Sequence, residues 1–188
     1  MNEEQFHKVT SLLSAFKPRA EITLDVIPAP QKLAKFAFAL SADVSNGMVG
    51  DNEKELANGR FVILHEPGGQ ETWEGEFRCV TYLNADLDRT EAEDPTLPEH
   101  GWNWLLKALD ENGCDYAAPS GTVTRAISHS FGKLSTDSDG GDIEIRASWS
   151  PLIDRPEDLV GHLQAWCNLL AEIAYLQPLP EGVAFFRK

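Results

Sequence analysis

Apolar residues recur along this chain with two different periods, and the changes of period lay out its elements. Phe6, Val9, Leu13 and Phe16 fall at helical spacing, which predicts a helix over residues 2–16 that Pro18 ends. Ile22, Leu24 and Val26 then alternate with polar neighbours, giving a short strand stopped by Pro28 and Pro30. Over residues 33–44, Phe36, Phe38, Leu40, Ala42 and Val44 keep a strict period of two, which outweighs the helix preference of the alanines and predicts a strand. Residues 45–59 are rich in Gly, Asn and acids and read as a loop, with one helical turn at 51–57. A strand over 61–66, a glycine-bearing tight turn at 67–70 and a return strand over 73–83 read as a hairpin, with Trp73, Phe77, Cys79 and Leu83 facing one way. The acidic stretch 88–98 reads as a solvated connector.

Pro98 suits the first turn of the next helix, and Gly113 stops it. After a turn at 117–121 come a strand over 122–131, a polar loop over 132–141 and a strand over 142–150. The last helix starts near Asp154 and Pro156 and carries Leu159, Leu163, Trp166, Leu170 and Ile173 on one face. Pro178 and Pro180 close it, and an extended tail follows. Hairpins in place of single crossovers imply an antiparallel sheet, and the helices between them must cover a sheet face, so the fold class is α+β.

Part of this pattern occurs twice. Trp102-Asn103-Trp104-Leu105-Leu106 and Trp166-Cys167-Asn168-Leu169-Leu170 share Trp, two residues, then Leu-Leu; Glu76-Phe77-Arg78 and Glu144-Ile145-Arg146 precede them. The reading is one domain, residues 1–188, with an N-terminal helix and two strand–strand–helix units at 61–112 and 122–176. Two copies are too few for a solenoid.

Composition narrows the partners. Thirty acidic against 16 basic residues give a net charge of −14, which repels phosphate backbones, and no Lys/Arg run offsets it, so nucleic acid is not expected as a partner. Cys79, Cys114 and Cys167 are far apart and form no CxxC pair, which argues against a thiol-ligated metal site and for reduced thiols in the cytoplasm. No apolar run reaches the roughly 18–20 residues of a membrane span, and the acidic N-terminus is unlike a secretory signal.

Chemistry-bearing residues concentrate on the second hairpin. If Phe131 lies opposite Asp142, Ile143, Ile145, Ala147 and Trp149 share the helix-facing side with Thr124, Ala126 and Ser128. Arg125, Ile127 and His129 then join Glu144, Arg146 and Ser148 on the other side. Two arginines, a carboxylate and an imidazole on one face could hold an anionic ligand or do acid–base work; the plain alternative is a solvated face with cross-strand ion pairs. Ser120, before Gly121, could add backbone donors or a hydroxyl, but no Gly-x-Ser-x-Gly surrounds it. Asp137-Ser138-Asp139-Gly140 is a faint calcium-loop echo better read as a polar hairpin loop. His7, His65, His100 and His162 lack metal-site spacing and read as surface or half-buried. Neither metal nor cofactor is expected. Trp104 falls opposite the stripe Trp102, Leu105, Leu106 and Leu109, so it is the candidate for a subunit or partner contact, unless it packs under the 84–98 connector.

Pro28-Ala29-Pro30-Gln31-Lys32-Leu33, Glu71-Thr72-Trp73-Glu74-Gly75-Glu76-Phe77-Arg78 and Ala118-Pro119-Ser120-Gly121-Thr122-Val123-Thr124-Arg125 stand at characteristic places in the chain. With Trp166-Cys167-Asn168-Leu169-Leu170 and Leu179-Pro180-Glu181-Gly182-Val183, they resemble the actinobacterial domain-of-unknown-function family numbered three thousand. That resemblance covers nearly the whole chain and implies a cytoplasmic bacterial protein, with no catalytic residues to carry over. At the level of element order the chain is also similar to secretion-chaperone-like α+β proteins, including YbjN-type relatives, which implies a small acidic protein without catalytic machinery. The expected function is a non-enzymatic, cytoplasmic, chaperone- or adaptor-like module that binds a protein partner or a second copy of itself. The alternative is a small-molecule or anion binder, or an enzyme, working from Arg125, His129, Glu144, Arg146 and Ser120.

Overall fold

The computed structural model describes residues 2–48, 50–134 and 140–178. It contains helices α1 (Glu3–Ala15), α2 (Arg89–Glu93), α3 (Leu97–Glu111) and α4 (Leu159–Ile173). Its strands are β1 (Ile22–Ile27), β2 (Phe36–Ser45), β3 (Glu55–Gln70), β4 (Gly75–Leu87), β5 (Tyr116–Ser128) and β6 (Gly140–Pro151). The strands form one antiparallel sheet in the order β1-β2-β3-β4-β6-β5. The fold is the α+β class that the hairpins predict. The tail beyond residue 178 and the stretch Asp137-Ser138-Asp139 lie outside the described residues.

All four helices sit on one face of this sheet. Phe6, Val9 and Leu13 of α1 are buried, and Phe6 stacks on Phe36 of β2 at 5.3 Å. On α4, Trp166 stacks on Phe61 at 5.2 Å and donates from Nε1 to Thr81 Oγ1 at 2.7 Å. Its indole lies so close to β3 that a Cβ on Gly59 would meet Trp166 Cζ2 at 3.1 Å and Leu83 Cδ2 at 2.6 Å. Leu105 and Leu109 of α3 are buried with Ile143, Ile145 and Val123 close by Gly101. Each such fully buried side chain contributes about 1.5–3 kcal/mol.

The boundaries differ from the sequence expectation where glycines and caps intervene. β3 starts at Glu55 and runs to Gln70, so much of the expected 45–59 loop is strand, and the helical turn shrinks to a 3-10 turn at Gly50–Asn52. The hairpin does not turn at 67–70. Gly68 and Gly69, both at positive φ, distort the strand, and the turn comes at Glu71–Trp73, closed by left-handed Glu74. Trp73 is therefore not in β4. The 88–98 connector is not merely solvated: Asp88 caps α2 through a capping box with Glu91, and Ala92 is fully buried beneath it. The turn expected at 117–121 is a bulge inside β5, where Ala118 adopts φ 46°.

Candidate functional site

The second hairpin pairs Ser128 with Gly140, Ala126 with Asp142, Thr124 with Glu144, Thr122 with Arg146 and Ser120 with Ser148. Phe131 does not face Asp142. β5 ends earlier, and β6 begins at its glycines, so the register is displaced by an odd number of residues. Because side chains alternate, that displacement moves every β5 residue to the other face. Arg125 consequently lies opposite Ile143 on the helix side, and its Nη1 donates to the Ala92 carbonyl of α2 at 2.7 Å. His129 is exposed just past the end of β5. The arginine pair expected on one face is thus divided between two.

Ser120, Glu144 and Arg146 do share the sheet face opposite α1 to α4. Arg146 Nε donates to Glu144 Oε1 at 2.8 Å, and its guanidinium lies 5.5 Å from the Tyr82 ring centroid. Asn84 Nδ2 donates to Asp142 Oδ2 at 3.3 Å. Partial burial, together with the Glu144 carboxylate, raises the Tyr82 phenol above its ordinary value. Arg146 is 65% exposed, so this pair is screened by water. Beside it a depression of about 470 Å³ is lined by Ser41, Asp43, Asn58, Arg60 and Tyr82.

The most enclosed charge on this face is one that the sequence reading did not assign to the site. Arg78 in β4 is 7% exposed and has no carboxylate partner among the described residues. Its Nη1 donates to the Ala118 carbonyl at 2.9 Å and to Ser150 Oγ at 3.1 Å; its Nη2 donates to Ser120 Oγ at 3.0 Å and Ser148 Oγ at 2.7 Å. Ser150 Oγ in turn donates to the Trp73 carbonyl. Burial lowers the pKa of the guanidinium, partly offset by the negative charge of Glu74. The cluster pins the Ala118 bulge of β5 to β4 and β6. Its signal in the sequence is an arginine flanked directly by Phe77 and Cys79 in a strand whose other face is core.

Away from this face, two of the histidines and all three cysteines are held in the interior, while His7 and His100 stay at the surface. His65 and His162 are fully buried, not half-exposed. His65 stacks on Phe77 at 4.4 Å, and Trp149 Nε1 donates to His162 Nδ1 at 3.1 Å. Burial pushes the His162 pKa down to about 4, so the imidazole is neutral and accepts. Burial raises the Cys79 thiol well above its usual range, Cys114 to about 11 and Cys167 to about 12, which leaves no thiolate at neutral pH. Among the described residues no group of three His, Cys, Asp or Glu could hold a metal ion. No described helix is long and apolar enough to cross a membrane.

Trp104 does not stand opposite the buried stripe of α3. That stripe is Leu97, Gly101, Leu105, Ala108 and Leu109, and Trp104 flanks it, half-buried, edge-on to Tyr175 at 6.1 Å. A second depression, of about 570 Å³, opens at the sheet end between Phe77, Asp115, Tyr116, Leu152 and Asp154.

No curated protein and no solved structure matches the chain. A family model described as "Protein of unknown function (DUF3000)" matches residues 2–184. The chain belongs to the DUF3000 family.

Proposed function

We propose that this chain is a non-enzymatic protein-binding module that takes its partner on the sheet face opposite α1 to α4. One observation carries the reading. Among the described residues, the sheet face opposite α1 to α4 carries no α-helix, and its centre holds apolar side chains. Alternation places Ile27, Ala37, Val62 and Val80 there, each half-buried, beside Ala39 and Leu64, which are already buried within the chain. Asp25, Asp43, Glu76, Asp86, Asp142 and Glu144 frame the band, against Arg60 and Arg146. The complementary partner is a protein surface with an apolar centre and a basic rim. Three buried, unpaired cysteines agree with a reducing, cytoplasmic setting. The test is affinity capture from the native host by wild type and by Val62→Lys/Val80→Lys, followed by reconstitution with the purified partner. Loss of binding by the face variant, with its thermal unfolding unchanged, supports the reading; equal binding overturns it.

A second reading rests on Arg78. A buried guanidinium with only neutral acceptors is a positive centre under the hydroxyls of Ser120 and Ser148, which suits a small carboxylate or phosphate. Thermal-shift titration with phosphate and with citrate separates the two readings. Stabilisation of wild type that is absent in Ser148→Ala would favour the anion site.

A further inference from the structure

We infer that the free edge of β5 pairs with the same edge of a second copy of this chain, joining two six-stranded sheets into one. The sheet order leaves two edges, β1 and β5, and they are treated differently. β1 is six residues long, carries Asp25, is entered through the Arg19–Glu21 ion pair at 2.9 Å and is left through Pro28. Short length, charge and proline are the devices that keep an edge from pairing. β5 is thirteen residues long. Its bulge and Pro119 occupy only the first part, and Gly121 to Ser128 hold no proline, no lysine and no acid. Arg125 does not guard this edge, because its side chain is turned under α2 and bonded to the Ala92 carbonyl.

Charge selects the occupant. Two copies of a chain with net charge −14 repel one another, so a self-contact needs a stretch without acids. Residues 116–136 contain neither Asp nor Glu, and no other stretch of the chain is as long without one. On the open face the paired segment presents Thr122, Thr124, Ala126 and Ser128. Across a two-fold axis these give small, neutral cross-strand pairs with no like charges opposed. A foreign strand would be chosen by side-chain pockets or opposite charge, and this segment offers neither. Ile127, 39% exposed, and Phe131, 80% exposed, stand at the end of the strand and gain cover from the second copy. The edge is separate from the apolar band on the sheet face, so the dimer stands or falls independently of the protein-binding reading.

The experiment is sedimentation of the full chain over a range of concentrations, with amide hydrogen exchange on the same samples. Wild type should move from 20.8 kDa towards twice that mass as concentration rises, and the amides of 121–128 should gain protection together with it. Thr124→Lys/Ala126→Lys places each lysine opposite an acid of β6, Glu144 and Asp142, so the monomer tolerates it. Facing its own copy, the same variant should stay at 20.8 kDa. A wild type that is monomeric throughout overturns the inference. So does a dimer in which 121–128 exchange as in the monomer, or a folded lysine variant that dimerises like wild type. If the lysine variant does not fold, the exchange measurement on wild type alone decides.

Discussion

The Trp149 indole donates its only N–H to His162 Nδ1 at 3.1 Å, and both residues are fully buried between β6 and α4. The bond works only while the imidazole is neutral. Burial holds the folded pKa near 4 against an ordinary 6.5, although Asp158 and Asp115 pull it upward. The unfolded chain therefore takes up a proton at a pH where the folded chain does not. The stability from this site is complete above about pH 6.5 and is lost as pH falls towards 4, by an amount of order 3 kcal/mol. Urea unfolding between pH 7 and 4 should show this slope. His162→Gln, which can still accept from the indole, should remove that component, and an unchanged slope in the variant would mean that other groups supply it.

Arg78 should matter to stability more than any exposed charge. Replacing it with Ala leaves Ser148, Ser150 and the Ala118 carbonyl without their donor. The expected loss is about 2–4 kcal/mol. Lysine cannot reach four acceptors in two directions, so Arg78→Lys should recover less than half of it. Denaturant unfolding of the two variants measures both.

Arg125 and Arg146, which look alike in the sequence, should behave differently. Arg146→Ala removes an ion pair whose arginine is 65% exposed, so stability should change by less than about 1 kcal/mol. Arg125→Ala removes a donor that ties β5 to α2, so it should cost about 1–2 kcal/mol and loosen residues 89–93. Thermal unfolding of both variants, with amide exchange over α2, checks the contrast.

That contrast shows where the sequence is readable. Long periodic stretches such as Phe36 to Val44 and Leu159 to Ile173 determine their own elements and faces, since a half-buried strand or helix must repeat its apolar residues in step with its geometry. The register of β5 against β6 is not encoded that way. Val123, Arg125 and Ile127 alternate with Thr122, Thr124 and Ala126, and neither set is plainly apolar, so either face is compatible with burial. Ser120, Glu144 and Arg146 come together because β6 has a clear inward set, Ile143, Ile145, Ala147 and Trp149. Arg78 escaped because an arginine in a strand ordinarily marks a solvated position. Only the folded neighbours, Ser148 and Ser150 on β6 and the Ala118 bulge on β5, enclose it.

The protein-binding face is tested most directly by crosslinking mass spectrometry on the complex reconstituted from this chain and its captured partner. The account predicts crosslinks from the partner to Lys35 and Lys54, which flank β2 and the start of β3, together with amide protection centred on Val62 and Val80. Crosslinks confined to Lys8 on α1 and Lys107 on α3, with the amides around Val62 and Val80 unchanged on binding, would contradict it.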